Sequence, residues 1–170
     1  ITYTDDYRES YYKIGTLLVA LWKEKAFPID HEFILSLKDL SMNKVVKEIT
    51  DKFGTLDILV NGAGTNGSTP FLEIEEEEWD GIMNSQIKGT FYGCQVFGEY
   101  MLKNKKGSII NISSASAGPP LSKAFTYSAA KAGIKNLTQN LGREWGTKGV
   151  RVNAIRPGFF PTDWNLKNFI

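Results

Sequence analysis

The sequence is poor in the residues on which several kinds of chemistry depend. It has one cysteine, Cys94, and one histidine, His31, in 170 residues. A single cysteine excludes an internal disulfide and fits a reducing, cytoplasmic setting. A single histidine excludes a zinc site built on several imidazoles, and a Ser-His-Asp triad would rest wholly on His31. No metal centre is expected. No apolar run reaches membrane-spanning length, and the start does not read as a signal peptide. The net charge is only +1, which gives no basis for a nucleic-acid or membrane surface. Glycine is scarce at one end. Between residues 1 and 53 the only one is Gly15, inside an apolar helical pattern.

What is present reads as one ordinary globular domain over 1–170, with 42% hydrophobic and 23% charged residues. Ile1 to Thr4 is β-prone. Tyr11, Ile14, Leu17, Leu18, Leu21 and Trp22 repeat at helical spacing until Phe27-Pro28 breaks the pattern, and Phe33 to Leu37 reads as a strand. A second helix is expected over Met42 to Phe53, with Gly54 placed to end it. Leu56 to Val60 reads as a buried strand. A long helix from Ile82 to Met101 and another from Thr126 to Trp145 are apolar on more than one side. Gly107 to Ser114 and Val150 to Ile155 read as further strands. Strand and helix alternating in this way argue for a parallel sheet covered on both faces. The acidic run Glu73 to Glu78 is best read as a solvated first helical turn that complements the helix dipole.

The chemistry concentrates between Gly107 and Lys131. A strand ends at Ser113-Ser114, a loop carries Gly118-Pro119-Pro120, and a helix then presents Tyr127 and Lys131 four residues apart. That spacing puts phenol and ammonium on one helix face. A free phenol, with a pKa of about 10, holds its proton too tightly to act as a base at neutral pH. A fixed ammonium is expected to lower that value and suit the pair to proton exchange with an alcohol or carbonyl. Ser114 is placed to hydrogen-bond the same oxygen. Seven tyrosines and sixteen lysines give roughly 0.7 Tyr-x-x-x-Lys pairs by chance, so the motif takes its weight from context.

The context is ordered. Asn61-Gly62-Ala63-Gly64 follows an apolar strand, Ser113-Ser114 precedes the tyrosine, and Arg151-Val152-Asn153-Ala154-Ile155-Arg156-Pro157-Gly158 follows the helix. Together these segments, from about Phe33 to Thr162, resemble the classical short-chain dehydrogenase/reductase family. The resemblance implies a Rossmann-like doubly wound α/β sheet and a soluble NAD(P)-dependent oxidoreductase. It implies Tyr127 as general acid/base, Lys131 as the residue that holds the nicotinamide ribose, and Ser114 as the group orienting the substrate oxygen; Ser113 takes that place if the register slips by one. Asn61, Gly62, Ala63 and Gly64 would lie against the adenosine half of the cofactor. Pro157 and Gly158 would contact the cofactor, and Thr162 would bind the carboxamide end of its nicotinamide. The two long helices would form a subunit interface, making a homodimer or homotetramer.

Two departures follow from the same resemblance. Gln86 stands where the family usually has an asparagine that supports a water-mediated proton path; Asn84 lies two residues early. The family's opening strand and Gly-x-x-x-Gly-x-Gly turn, which cradles pyrophosphate at a helix N-terminus, have no counterpart. Ile1 to Thr4 best matches the second strand. The chain does not begin with Met and reads as incomplete at both ends. Alone, this chain is expected to bind dinucleotide poorly, and a tight stoichiometric titration would contradict that. Asp5 or Asp6 at the end of strand two leans the cofactor towards NAD. The loop Gly118 to Lys123 and the tail Pro157 to Asn165 look most like members acting on sugars, polyols and sugar acids, with Arg156 and Lys123 as candidate carboxylate anchors or as structural cations. The expected reaction is reversible hydride transfer on a secondary alcohol or ketone. The alternatives are a non-catalytic fragment that keeps the oligomerisation helices, and an epimerase or dehydratase of the extended branch, which the Asn-Gly-Ala-Gly and Pro-Gly-x-x-x-Thr segments disfavour.

Overall fold

A computed structural model describes residues 41–169. The strands expected at Ile1 to Thr4 and Phe33 to Leu37, the helix patterned on Tyr11 to Trp22, Asp5, Asp6 and His31 lie outside the described residues. Helix α1, Met42–Phe53, buries Val45 and Ile49, one turn apart on one face. It ends where expected. Gly54 adopts φ 78°, a left-handed conformation that only glycine takes without strain, and its N–H bonds Thr50 O at 2.8 Å.

Strands β1 (Ile58–Asn61), β2 (Gly107–Ile112) and β3 (Val150–Ile155) form a parallel sheet in the order β1-β2-β3. Leu59 pairs with Ile109 and Asn61 with Asn111, while Ile109 pairs with Val152 and Ile112 with Ile155. Parallel neighbours need long crossovers, and helices supply them. Between β1 and β2 run α2 (Glu76–Met83), one wide π turn (Asn84–Lys88) and α3 (Gly89–Lys103). Between β2 and β3 runs α4 (Phe125–Trp145). A short α5, Asp163–Phe169, follows β3. Leu59, Ile109 and Val152 meet Phe97 and Met101 of α3, Val45 and Ile49 of α1, and Trp145 at the end of α4 in one buried cluster. Each large side chain buried in this way contributes about 1.5–3 kcal/mol.

The long helix expected over Ile82 to Met101 is interrupted. At the π turn, Ser85 Oγ donates to Ile82 O at 3.1 Å and Thr90 Oγ1 donates to Gln86 O at 2.8 Å. These side-chain hydroxyls compete with backbone donors for helical carbonyls and locally widen the ladder. The acidic run behaves as expected in part: Glu76 and Glu77 are exposed in the first turn of α2. Glu78 instead accepts a hydrogen bond from Thr69 Oγ1 at 2.6 Å and fastens the loop after β1.

Candidate active site

In a parallel sheet all strands point their carboxyl ends the same way, and the loops that leave them gather along one edge. Here those loops are 62–70 after β1, 113–124 after β2 and 156–162 after β3. A cavity of about 220 Å³ lies among them, lined by Asn66 from the first, Ser114 and Ser116 from the second, Gly158 from the third, Tyr127 from α4 and Asn165 from α5. The rest of its lining is small or apolar, and no lining residue is charged.

Tyr127 and Lys131 lie on the same face of α4, near its start. Lys131 is buried, its Nζ donating to Ile112 O at the end of β2 at 2.6 Å and standing 5.3 Å from the centre of the Tyr127 ring. Burial disfavours its charged form and brings its pKa down to about 8. The half-buried Tyr127 has its phenol in hydrogen-bonding reach of Ser114. Its pKa is raised above the ordinary value because burial outweighs the Ser114 hydrogen bond. This corrects the expectation that the ammonium lowers it. The amine stands over the ring face and spends its hydrogen bond on a backbone carbonyl rather than on the phenol oxygen, so desolvation decides the sign.

Ser114 is fixed by its neighbours. It sits in extended backbone, φ −158° and ψ 158°, just before a single turn over Ala115–Ala117. Its Oγ accepts from Ser116 N at 3.2 Å and from Ser116 Oγ at 3.0 Å. A hydroxyl that accepts from two donors keeps its own proton for a third partner, which here is aimed at Tyr127 or at an oxygen beside it. Ser113, the register alternative, is buried and its Oγ donates to Lys131 O at 2.8 Å. The structure therefore puts Ser114, not Ser113, on the cavity.

The remaining residues singled out in the sequence are placed less simply. Asn61 is buried under the strand ends, donating through Nδ2 to Asn111 Oδ1 at 2.8 Å; Asn111 in turn donates to Thr138 Oγ1 at 3.0 Å. This chain of amides ties β1 and β2 to α4. Burial of the Cys94 thiol against the same pair pushes its pKa up to about 11. Gly62, Ala63 and Gly64 form the exposed to half-buried start of the loop. Pro157 O accepts from Ala115 N at 2.9 Å, and Gly158 has open space on its Cβ side. Thr162 Oγ1 accepts from Asn165 N at 3.2 Å and so caps α5.

Gln86 does not reach towards Tyr127. It is buried, its Nε2 donates to Thr65 O at 2.7 Å, and a Cβ on Gly64 would stand 2.2 Å from its Oε1. The longer arm folds onto the loop after β1, which is why residue 64 carries no side chain. Gln86→Asn is expected to leave Thr65 O unpaired and to destabilise the chain by about 1 kcal/mol, read as a lowered urea midpoint at unchanged slope. Sequence reasoning did not single out Asn66, Ser116, Asn111 or Thr138. Asn66 follows the glycine turn by two residues, a spacing that in hindsight carries it onto the same edge.

Comparison with known proteins decides the family. A model of the short chain dehydrogenase family matches residues 23–169. The chain belongs to the short-chain dehydrogenase family. Its parallel sheet with flanking helices is part of that family's Rossmann-like fold. A curated relative, 3-oxoacyl-acyl-carrier-protein reductase FabG of Thermotoga maritima, is 35% identical over 136 residues, covering 79% of this chain and 55% of the relative. The chain spans about half the length of the curated relatives it matches. Among solved structures, ElxO with NADP bound superposes with a TM-score of 0.71 at 27% identity, covering 81% of this chain and 61% of that one. A putative gluconate dehydrogenase from Agrobacterium tumefaciens gives 0.67 at 31% identity, covering 74% and 51%.

Proposed function

We propose that this site carries out reversible hydride transfer between NAD or NADP and a small secondary alcohol or ketone of the polyol, sugar or sugar-acid type. The observation that carries the reading is a half-buried, proton-holding phenol and a serine hydroxyl on one cavity, with a buried lysine beside the phenol ring one helical turn along. The residues fit the nicotinamide end of the cofactor. The loops after all three strands converge there, and Gly158 leaves its side of the cleft bare. Lys131 and the Pro157–Thr162 segment would hold the nicotinamide riboside. The fit concerns that end alone: the only glycine in residues 1–53 is Gly15, so the glycine pattern that would cradle pyrophosphate is not in that stretch of sequence.

The cofactor supplies or accepts the hydride; the chain's own residues handle the proton. With its pKa raised, Tyr127 stays protonated at neutral pH and acts as the donor when a carbonyl is reduced. Ser114 Oγ–H points at the same oxygen and orients it. Lys131, anchored on Ile112 O, supplies positive charge under the ring when the phenolate forms. The carboxamides of Asn66 and Asn165 at the wall, and a lining without charge, favour a neutral polyol or ketose over an acid. The putative gluconate dehydrogenase neighbour keeps a sugar acid in the proposal beside the neutral substrates, and the NADP-bound neighbour keeps both dinucleotides in it. In the same reading α3 and α4 pair with a second copy. Phe91 and Tyr92 stand about half exposed on α3 and stack edge to face, as an interface helix would present them. The test follows absorbance of the reduced nicotinamide over a polyol, ketose, sugar-acid and 3-oxoacyl panel, with Tyr127→Phe as control.

A further inference from the structure

Arg156 lies two residues before the cavity-lining Gly158, yet it does not line the cavity. Its Nε donates to Ser114 O at 3.1 Å and its Nη2 to Ala115 O at 3.1 Å. The planar fork of a guanidinium suits two consecutive carbonyls in a way that an ammonium cannot reproduce. We propose that Arg156 is a positioning residue for the proposed reaction: it clamps the backbone of Ser114 and Ala115 and thereby holds the Ser114 hydroxyl on Tyr127, and it does not bind a substrate carboxylate. The proposal rests on the functional reading above.

The surrounding backbone shows why such a clamp matters. Pairing between β2 and β3 continues past the strand ends, where Ser113 N donates to Ile155 O and Ala115 N donates to Pro157 O, each at 2.9 Å. These bonds run from the serine loop to the last residue of β3 and to the segment after it. Pro157 has no N–H with which to answer. Arg156, in that same segment, returns two donors through its side chain. The chain also makes room for it: a Cβ on Gly118 would stand 3.1 Å from Arg156 Nη2, so the turn that leaves Ala117 closes over the guanidinium. Ser114 is thus gripped from below through its carbonyl and from the side through Ser116.

Amide hydrogen exchange of this chain, read by mass spectrometry or NMR, tests the clamp without requiring turnover. In Arg156→Lys and Arg156→Gln, exchange over residues 113–118 should rise about tenfold while amides of 109–111 keep their protection. Turnover in the same preparations should fall about tenfold in kcat, equally for neutral and carboxylate substrates, with guanidinium restoring part of it to Arg156→Ala. Wild-type protection at 113–118 in both variants overturns the proposal. So does a loss confined to KM for carboxylate substrates, which would mark an anion anchor. Tyr127→Phe separates the two readings. It should lower turnover by roughly a hundredfold or more and leave exchange at 113–118 unchanged; turnover near the wild-type rate would sink the proposed function while the exchange arm still decides the role of Arg156.

Discussion

Tyr127→Phe is expected to lower hydride transfer by a factor of roughly a hundred to ten thousand, the usual contribution of a positioned general acid. The substitution is a narrow one. The ring stays, with its packing on α4 and the lysine cation 5.3 Å from its centre. Only the oxygen leaves. Ser114 would still accept from Ser116 and would still present its proton to the cavity, but nothing would then donate to the nascent alkoxide as hydride arrives. Stability should change by no more than about 1 kcal/mol, because a half-buried hydroxyl on an open cavity is replaced by water on the Ser114 side. The discriminating result is therefore a loss in kcat with the urea midpoint nearly unmoved. Turnover that survives the substitution would place the proton donor elsewhere and remove the basis of the proposed chemistry.

The parts of the fold written in local signals were legible before any coordinates. Val150 to Ile155 was expected as a strand and is one, residue for residue, because apolar Val150, Val152 and Ala154 alternate there between a helix end and Pro157-Gly158. Met42 to Phe53 carried both its apolar stripe and its terminating glycine. The helix bearing Tyr127 and Lys131 was likewise placed to within one residue at its start. What the sequence did not disclose depends on contacts between distant segments. The interruption at Asn84–Lys88 comes from hydroxyls that bond backward along the helix, and the fate of Gln86 comes from a carbonyl twenty-one residues away. Arg156 read equally as substrate anchor or structural cation, and only the position of two carbonyls some forty residues earlier separates them. The sign of the Tyr127 shift failed for a related reason. Helical spacing reports that phenol and ammonium are neighbours, but it says nothing of how deeply each is buried or which atom the ammonium prefers.

Lys131 should leave a signature in stability as well as in catalysis. Its pKa falls from 10.5 to about 8 on folding, a change equivalent to at most about 3 kcal/mol of disfavoured charge. Below pH 8 the lysine is an ammonium in both folded and unfolded chains, so it contributes no slope there. Between pH 8 and 10.5 the folded chain releases the proton while the unfolded chain keeps it. The unfolded state then binds more protons, and stability rises with pH. Tyr127 acts with the opposite sign above pH 10, where burial keeps its phenol protonated while the unfolded tyrosine ionises. The clean window is therefore pH 8 to 10. Urea unfolding of wild type and Lys131→Met across that window should show the wild type gaining on the variant as pH rises; a difference that stays flat would mean that the amine is hydrated in solution. The sign matters to function. At neutral pH the fold carries a buried positive charge at a cost in stability, offset only in part by the bond to Ile112 O. A hydrophobe of similar length would remove that cost; in the proposed reaction the ammonium would offset it when a phenolate forms beside it, the step that Tyr127 would undergo each time it gives up its proton.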